Sequence, residues 1–151
     1  MNAPHVPAPQ PAEPPRLARQ LGHAGLLPFI LGALLIWLVR PDVQPDVTLA
    51  LSGYAATIVS FLGGIHWGLA MRADALGPRS FGWAMVPPLV AGIAVIMHAY
   101  AGLVVLGVML VVCYLVDRRL YVANGFAHWL TLRFRLSMIA AFCCFLGAAG
   151  T

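Results

Sequence analysis

FGWAMVPPLVAGIAVIMHAYAGLVVLGVMLVVCYLV, from Phe81 to Val116, runs for 36 residues without a formal charge. As a single helix it would reach roughly 54 Å, far beyond the roughly 30 Å thickness of a bilayer's hydrocarbon. The stretch must therefore fold back on itself. The reversal falls at His98-Ala-Tyr-Ala-Gly102, where polar rings and a glycine interrupt the apolar run. Two helices result, at 81–97 and 103–116.

Outward from this hairpin, three more runs share its character. Residues 21–39 contain 19 positions free of Asp, Glu, Lys and Arg, with His23 as the polar exception. The run 47–71 is longer and crosses a bilayer with some tilt. Residues 136–149 form the last run, and its helix starts earlier, near Ala127, partly in the interface. The expected fold is all-α, a polytopic membrane protein with a five-helix transmembrane bundle over residues 21–150. Residues 1–20 stand apart as a tail. Six prolines between Pro4 and Pro15 keep it extended or disordered. With no basic residue at its start and no cleavage site before residue 21, it does not read as a secretory signal.

Composition carries the same message. Of the 151 residues, 61% are hydrophobic and 9% charged, against about 25% charged in a soluble domain. Too few polar groups exist to cover a water-exposed surface, so much of the surface faces lipid. All nine basic residues are arginine. With abundant Ala, Gly and Pro, that usage points to a GC-rich bacterial genome and hence to a bacterial inner (cytoplasmic) membrane. The basic balance forms no patch separable from the apolar runs, so no nucleic-acid partner is expected. Cys113, Cys143 and Cys144 all lie inside apolar stretches, without the spacing of a zinc site, and read as small core residues.

Five crossings divide the charges unevenly. Arg16, Arg19, Arg72, Arg79, Arg118, Arg119, Arg133 and Arg135 fall on one side and Arg40 alone on the other. Basic residues in short loops stay on the cytoplasmic side, so the amino terminus is inside and the carboxyl terminus outside. Trp37, Trp67, Trp83 and Trp129 sit near span ends, where amphipathic rings settle at headgroup level.

Within the second run, Ser52, Ala56, Ser60, Gly64 and Gly68 recur at every fourth position. On a helix these line one face and make a groove of small side chains, the surface that lets helices approach closely in lipid. Pro87 and Pro88 interrupt the third run and predict a kink. The candidate functional polar groups are His66, Trp67, Asp117, Arg133 and Arg135. His66 lies near the inner end of the second run, off the small-residue face. His23, His98 and His128 fall at a helix start or in turns, so His66 has no second histidine at its depth for haem. Asp117 ends the fourth run while Arg133 and Arg135 begin the fifth. A carboxylate there finds an arginine across the hairpin and clamps two helix ends, and the same arginines suit anionic headgroups. No nucleophile–base set, phosphate loop or metal-ligand cluster is visible, so neither catalytic residues nor a cofactor is expected.

The segment Ser60-Phe-Leu-Gly-Gly-Ile-His-Trp-Gly-Leu-Ala70, with Pro87-Pro88, Asp117 and Trp129…Leu132-Arg133, resembles the transmembrane protein 69 family, also catalogued as domain of unknown function 3429. The resemblance covers roughly residues 21–149. At Ala127-His-Trp-Leu130 the chain departs from the family's Pro-x-Trp-Tyr pattern. The resemblance implies a multi-pass membrane protein and no established activity.

Three functional expectations follow. The first is a non-enzymatic assembly, scaffold or lipid-interacting component, whose partners are membrane lipids, a second copy or another membrane protein. The second is a small oligomeric transporter or channel lined by Ser52, Thr57, Ser60 and His66. The third is a membrane haem or quinone protein, or an enzyme, built on His66 and the arginine loop.

Overall fold

A computed structural model describes residues 13–72 and 78–151. The proline-rich start up to residue 12, and residues 73–77 of the loop expected over 72–80 on the arginine-rich side, lie outside the described residues. The described chain is all-helical. Its elements are α1 (Arg16–Ala24), α2 (Leu27–Leu38), α3 (Gln44–Arg72), α4 (Pro78–Ile96), α5 (Ala99–Ala123) and α6 (Leu130–Ala149), with a 3-10 turn at Ala127–Trp129.

Among the described residues, four stretches are long and apolar enough to cross a membrane: Arg16–Leu38, Gln44–Met71, Ala99–Ala123 and Ala127–Ala149. The expected count of five meets a shorter helix at its third member. The apolar part of α4, Phe81–Ile96, falls below the length of the other four.

The first run is two helices rather than one. Pro28 has no amide hydrogen to offer the Ala24 carbonyl, so the helical ladder is interrupted there. Leu26 N–H instead bonds the His23 carbonyl at 3.0 Å, and the Gly25 carbonyl accepts the Tyr54 hydroxyl at 2.8 Å. The Tyr54 ring then packs edge-on to Phe29 at 5.1 Å. A proline break, a freed carbonyl and a tyrosine donor thus fix how α2 leans on α3.

The hairpin between α4 and α5 is tight, with the reversal at Met97 and His98. Gly102 sits so close to the Ala94 carbonyl that any Cβ would collide with it. The helix after the turn exceeds the expected 103–116. It starts at Ala99 and continues past Val116 to Ala123, carrying Asp117, Arg118 and Arg119 on the helix instead of in a loop. The chain stays helical there because Asp117 finds partners on two neighbouring helices.

Helix α3 is the central element, packing along α4, α5, α2 and α6. Its most buried stripe is Leu51, Ala55, Val59, Leu62, His66 and Ala70, at spacings of four, four, three, four and four. That is one face of a helix. Of the small-residue series, Ser52 and Ala56 are buried and Ser60 is half-buried, while Gly64 and Gly68 are exposed. A Cβ at either exposed glycine would meet nothing within 4 Å.

The close approach to α4 is made by Gly63. A Cβ there would lie 2.5 Å from the Ala84 carbonyl oxygen and 2.8 Å from Pro88 Cδ. The cause is chemical as well as steric. Helix α4 runs unbroken through Pro87 and Pro88, but Pro88 cannot donate to the carbonyl of Ala84 four residues earlier. That carbonyl faces Gly63 of α3, where no side chain would fit against it.

At the end of the bundle away from most arginines, a neutral side chain ties three elements. Gln44 Nε2 donates to the Ile36 carbonyl at 3.1 Å and to the Gly150 carbonyl at 2.8 Å. Beside it, Trp37 Nε1 donates to the Leu146 carbonyl at 3.1 Å. These bonds satisfy the last carbonyls of α2 and α6, which have no intrahelical donors.

Candidate functional site

The arginine-bearing end of the bundle buries a charged cluster. Three local regularities place it. The buried stripe of α3 carries His66 inward. On α5, Cys113, Asp117 and Tyr121 follow at intervals of four and are all buried. On α6, Arg133 and Ser137 are also four apart, and Ser137 is buried. Residues spaced by four share a helix face, so three apolar stripes bring their polar members to one point.

Asp117 is the hub. Arg133 Nε donates to Asp117 Oδ2 at 2.6 Å, and Arg133 Nη1 donates to Ser137 Oγ at 3.1 Å. On the other carboxylate oxygen, His66 Nε2 approaches Asp117 Oδ1 to 2.7 Å. That approach is close but off-line, and neither ring nitrogen of His66 makes a well-directed hydrogen bond. The His66 and Asp117 side chains are 3% and 2% exposed, and Arg133 is 13% exposed. This is an ion pair inside the protein, not a surface bridge.

A pair this deep is held together by necessity. Desolvating either partner costs several kcal/mol, and removing one leaves the other uncompensated at a cost of about 3–5 kcal/mol. The short charge-assisted bonds offset that penalty, and α5 and α6 are clamped at their facing ends.

Two cavities flank the cluster. The first, of about 440 Å³, lies among α1, α2, α3, α5 and α6. Its walls are mostly apolar, including Leu26, Phe29, Ile58 and Leu62, and its polar end is formed by Arg133, Ser137 and Tyr121. Among the described residues, Arg133 Nη2 is buried and makes no well-formed hydrogen bond, with the Tyr121 hydroxyl also beside the guanidinium. The second cavity, of about 1050 Å³, lies among α3, α4 and α5 and reaches the start of α6. His66, Trp83, Arg118, Arg119 and Asn124 supply its polar groups among leucines and valines. Trp83 Nε1 is buried without an acceptor, and its ring stands edge-on to His66 at 6.4 Å. His66 lines only the second cavity and Arg133 only the first, so the two oxygens of Asp117 serve different chambers.

The structure thus brings together His66, Asp117 and Arg133 from the candidate polar set. It leaves out Trp67, which is exposed and packs on Phe81 at 5.1 Å, and Arg135, which is exposed. Ser137, Tyr121 and the Trp83 indole belong to the site and do not stand out in the sequence. The four-residue spacing from Arg133 to Ser137, and from Asp117 to Tyr121, is the signal that finds the first two. Among the described residues, no group of three or more His, Cys, Asp and Glu is placed to hold a metal ion.

The family described as "Protein of unknown function (DUF3429)" matches residues 14–149. Transmembrane protein 69 of Xenopus tropicalis is 37% identical over 89 residues, which cover 56% of this chain and 34% of that protein. The match therefore spans about a third of that relative's length. No solved structure matches the chain. With apolar helices of membrane-crossing length and a transmembrane protein among its relatives, the chain is an integral membrane protein. It belongs to the protein family of unknown function DUF3429.

Proposed function

We propose that this chain is a non-enzymatic, lipid-interacting membrane component that holds an amphiphile in the 440 Å³ cavity beside Arg133. One observation carries the reading. Asp117 and Ser137 fix Arg133, whose Nη2 makes no well-formed hydrogen bond among the described residues at the end of an apolar chamber. A buried donor without an acceptor is costly, and a ligand oxygen would relieve it. The volume lies in the range of about 300–1,000 Å³ common to small-molecule pockets.

The charge balance narrows the ligand. Asp117 already neutralises Arg133, so this chamber offers hydrogen bonds without net positive charge. It suits a neutral carbonyl on an apolar chain, as in an acyl ester or an isoprenoid quinone. In this reading α4 is a fifth crossing helix, the amino terminus faces the cytoplasm, the carboxyl terminus lies outside, and the host is a bacterial inner membrane. In the same reading the chain assembles with itself or with another membrane protein through the exposed face at Gly64 and Gly68.

The test is purification in mild detergent, with mass-spectrometric identification of bound amphiphiles. Ala18 lines the cavity and lies outside the ion pair, so Ala18→Trp should displace the ligand while the fold persists. Wild type and Ala18→Trp carrying the same amphiphiles in equal amounts would remove the proposal.

A transporter is the second reading, favoured by the placement of Asp117 between two chambers. Ionisable groups inside membranes commonly mark ion paths. Proteoliposomes whose proton flux is abolished by Asp117→Asn would support it, and no flux above empty vesicles would end it.

A further inference from the structure

The larger cavity poses a different chemical problem from the smaller one. Trp83 Nε1–H, Arg118 and Arg119 are obligate donors, and all three line it beside His66. Trp83 Nε1 and both ring nitrogens of His66 are buried without a well-directed partner, and the His66 side chain is 3% exposed. The rest of the wall is apolar, with Leu69, Val112 and Leu115 among its members. Among the described residues, the one carboxylate nearby, Asp117, is engaged by Arg133 and does not line the chamber. Among the described residues, no acidic side chain lies within ion-pair distance of Arg118 or Arg119. This chamber is therefore positive where the smaller one is balanced.

We propose that this cavity is a binding site for an anionic phospholipid, with the headgroup phosphodiester held by Trp83, Arg118 and Arg119. A phosphodiester only accepts hydrogen bonds and carries the opposite charge, and the apolar wall takes an acyl chain. The two arginines of the lining are exposed, whereas the indole nitrogen is buried and its ring stands beside His66. The site is distinct from the one beside Arg133 and does not require it.

Purified protein is exchanged into detergent containing equal dioleoylphosphatidylglycerol and dioleoylphosphatidylcholine, and retained lipids are counted by native mass spectrometry. Wild type should retain phosphatidylglycerol about tenfold over phosphatidylcholine. Arg118→Gln/Arg119→Gln should remove most of that preference, and both side chains are exposed, so the fold is not at stake. Trp83→Phe, which keeps a ring and deletes the donor, should lower it several-fold. The control is Arg16→Gln/Arg135→Gln, which removes the same charge away from the chamber and should leave the preference unchanged. Ala18→Trp should also leave it unchanged, which separates this site's fate from that of the smaller cavity. Inorganic phosphate at millimolar concentration should not compete. Its displacing the lipid would mean that the site reads free phosphate and would overturn the lipid occupant. Equal retention of the two lipids by wild type, or an equal loss of preference in the control pair, would overturn the site itself.

Discussion

Replacing Gly63 by alanine adds one methyl group at the tightest point between α3 and α4. The new carbon would lie 2.5 Å from the Ala84 carbonyl oxygen, where ordinary contacts begin at 3.4 Å. The helices must part by roughly 0.9 Å. No rotamer change relieves this, because the obstacle is backbone and the next neighbour, Pro88 Cδ at 2.8 Å, belongs to a rigid ring. Overpacking of this kind costs about 1–3 kcal/mol. The displacement also reaches the site, since Trp83 adjoins Ala84 and His66 lies one turn beyond Gly63. Gly64→Ala is the internal standard. It adds the same methyl on the same helix where nothing lies within 4 Å, and it gains up to about 1 kcal/mol of helix propensity. Reversible unfolding in mild detergent should place Gly63→Ala at least about 1 kcal/mol below Gly64→Ala. Equal stabilities, or Gly64→Ala as the weaker protein, would refute the account of α3–α4 packing.

The same unfolding assay tests the ion pair. Arg133→Leu alone should cost about 3–5 kcal/mol by stranding Asp117, and adding Asp117→Asn should recover a large part of it. Additive losses would mean that the two side chains are not coupled. At the opposite end, Gln44→Leu deletes two hydrogen bonds and should cost about 1–3 kcal/mol. An unchanged midpoint would show that the amide does not tie α2 to α6. For topology, Cys113, Cys143 and Cys144 are buried, so an introduced thiol reports alone. In intact cells a membrane-impermeant maleimide should label Thr151→Cys and spare Gln20→Cys, and the reverse pattern would invert the orientation.

How much of this was legible depended on the kind of signal. The apolar runs separate cleanly because charge is scarce, and the hairpin inside 81–116 follows from length alone. Asp117 and Arg133 face each other because a carboxylate and an arginine end adjoining runs. The limits of α5 were not legible, since Asp117-Arg-Arg looks like a loop until its partners are known. The break before Pro28 was hidden inside a run judged only by hydropathy. On α3 the regular series of small residues draws attention to Gly64 and Gly68, whereas the glycine in contact is Gly63. What selects Gly63 is a carbonyl freed by Pro88 on another helix, a relation that periodicity within one segment does not carry. His66 joins Asp117 for a similar reason. Its place depends on which face of α3 is buried, and two faces of that helix have plausible packing residues.

The two ends of the bundle solve the same mechanical problem with different chemistry. At one end Gln44 ties α2 and α6 with a neutral amide, and Trp37 adds a third bond. At the other, His66, Asp117 and Arg133 tie α3, α5 and α6 with buried charge. The neutral solution shows that holding helix ends together does not require ions. A buried ion pair is weak evidence for stability, since apolar replacements of similar volume are often no worse. Its distinguishing property here is position. One carboxylate sets Arg133 at the end of a balanced, apolar chamber and sits against His66 in the wall of a positive one. Under the proposed function, the charge serves binding and the clamp is its by-product. That ordering is testable: if Asp117→Asn/Arg133→Leu restores stability yet loses the amphiphile beside Arg133, the cluster is kept for binding. If both survive, the ions serve neither purpose and the proposed site is wrong.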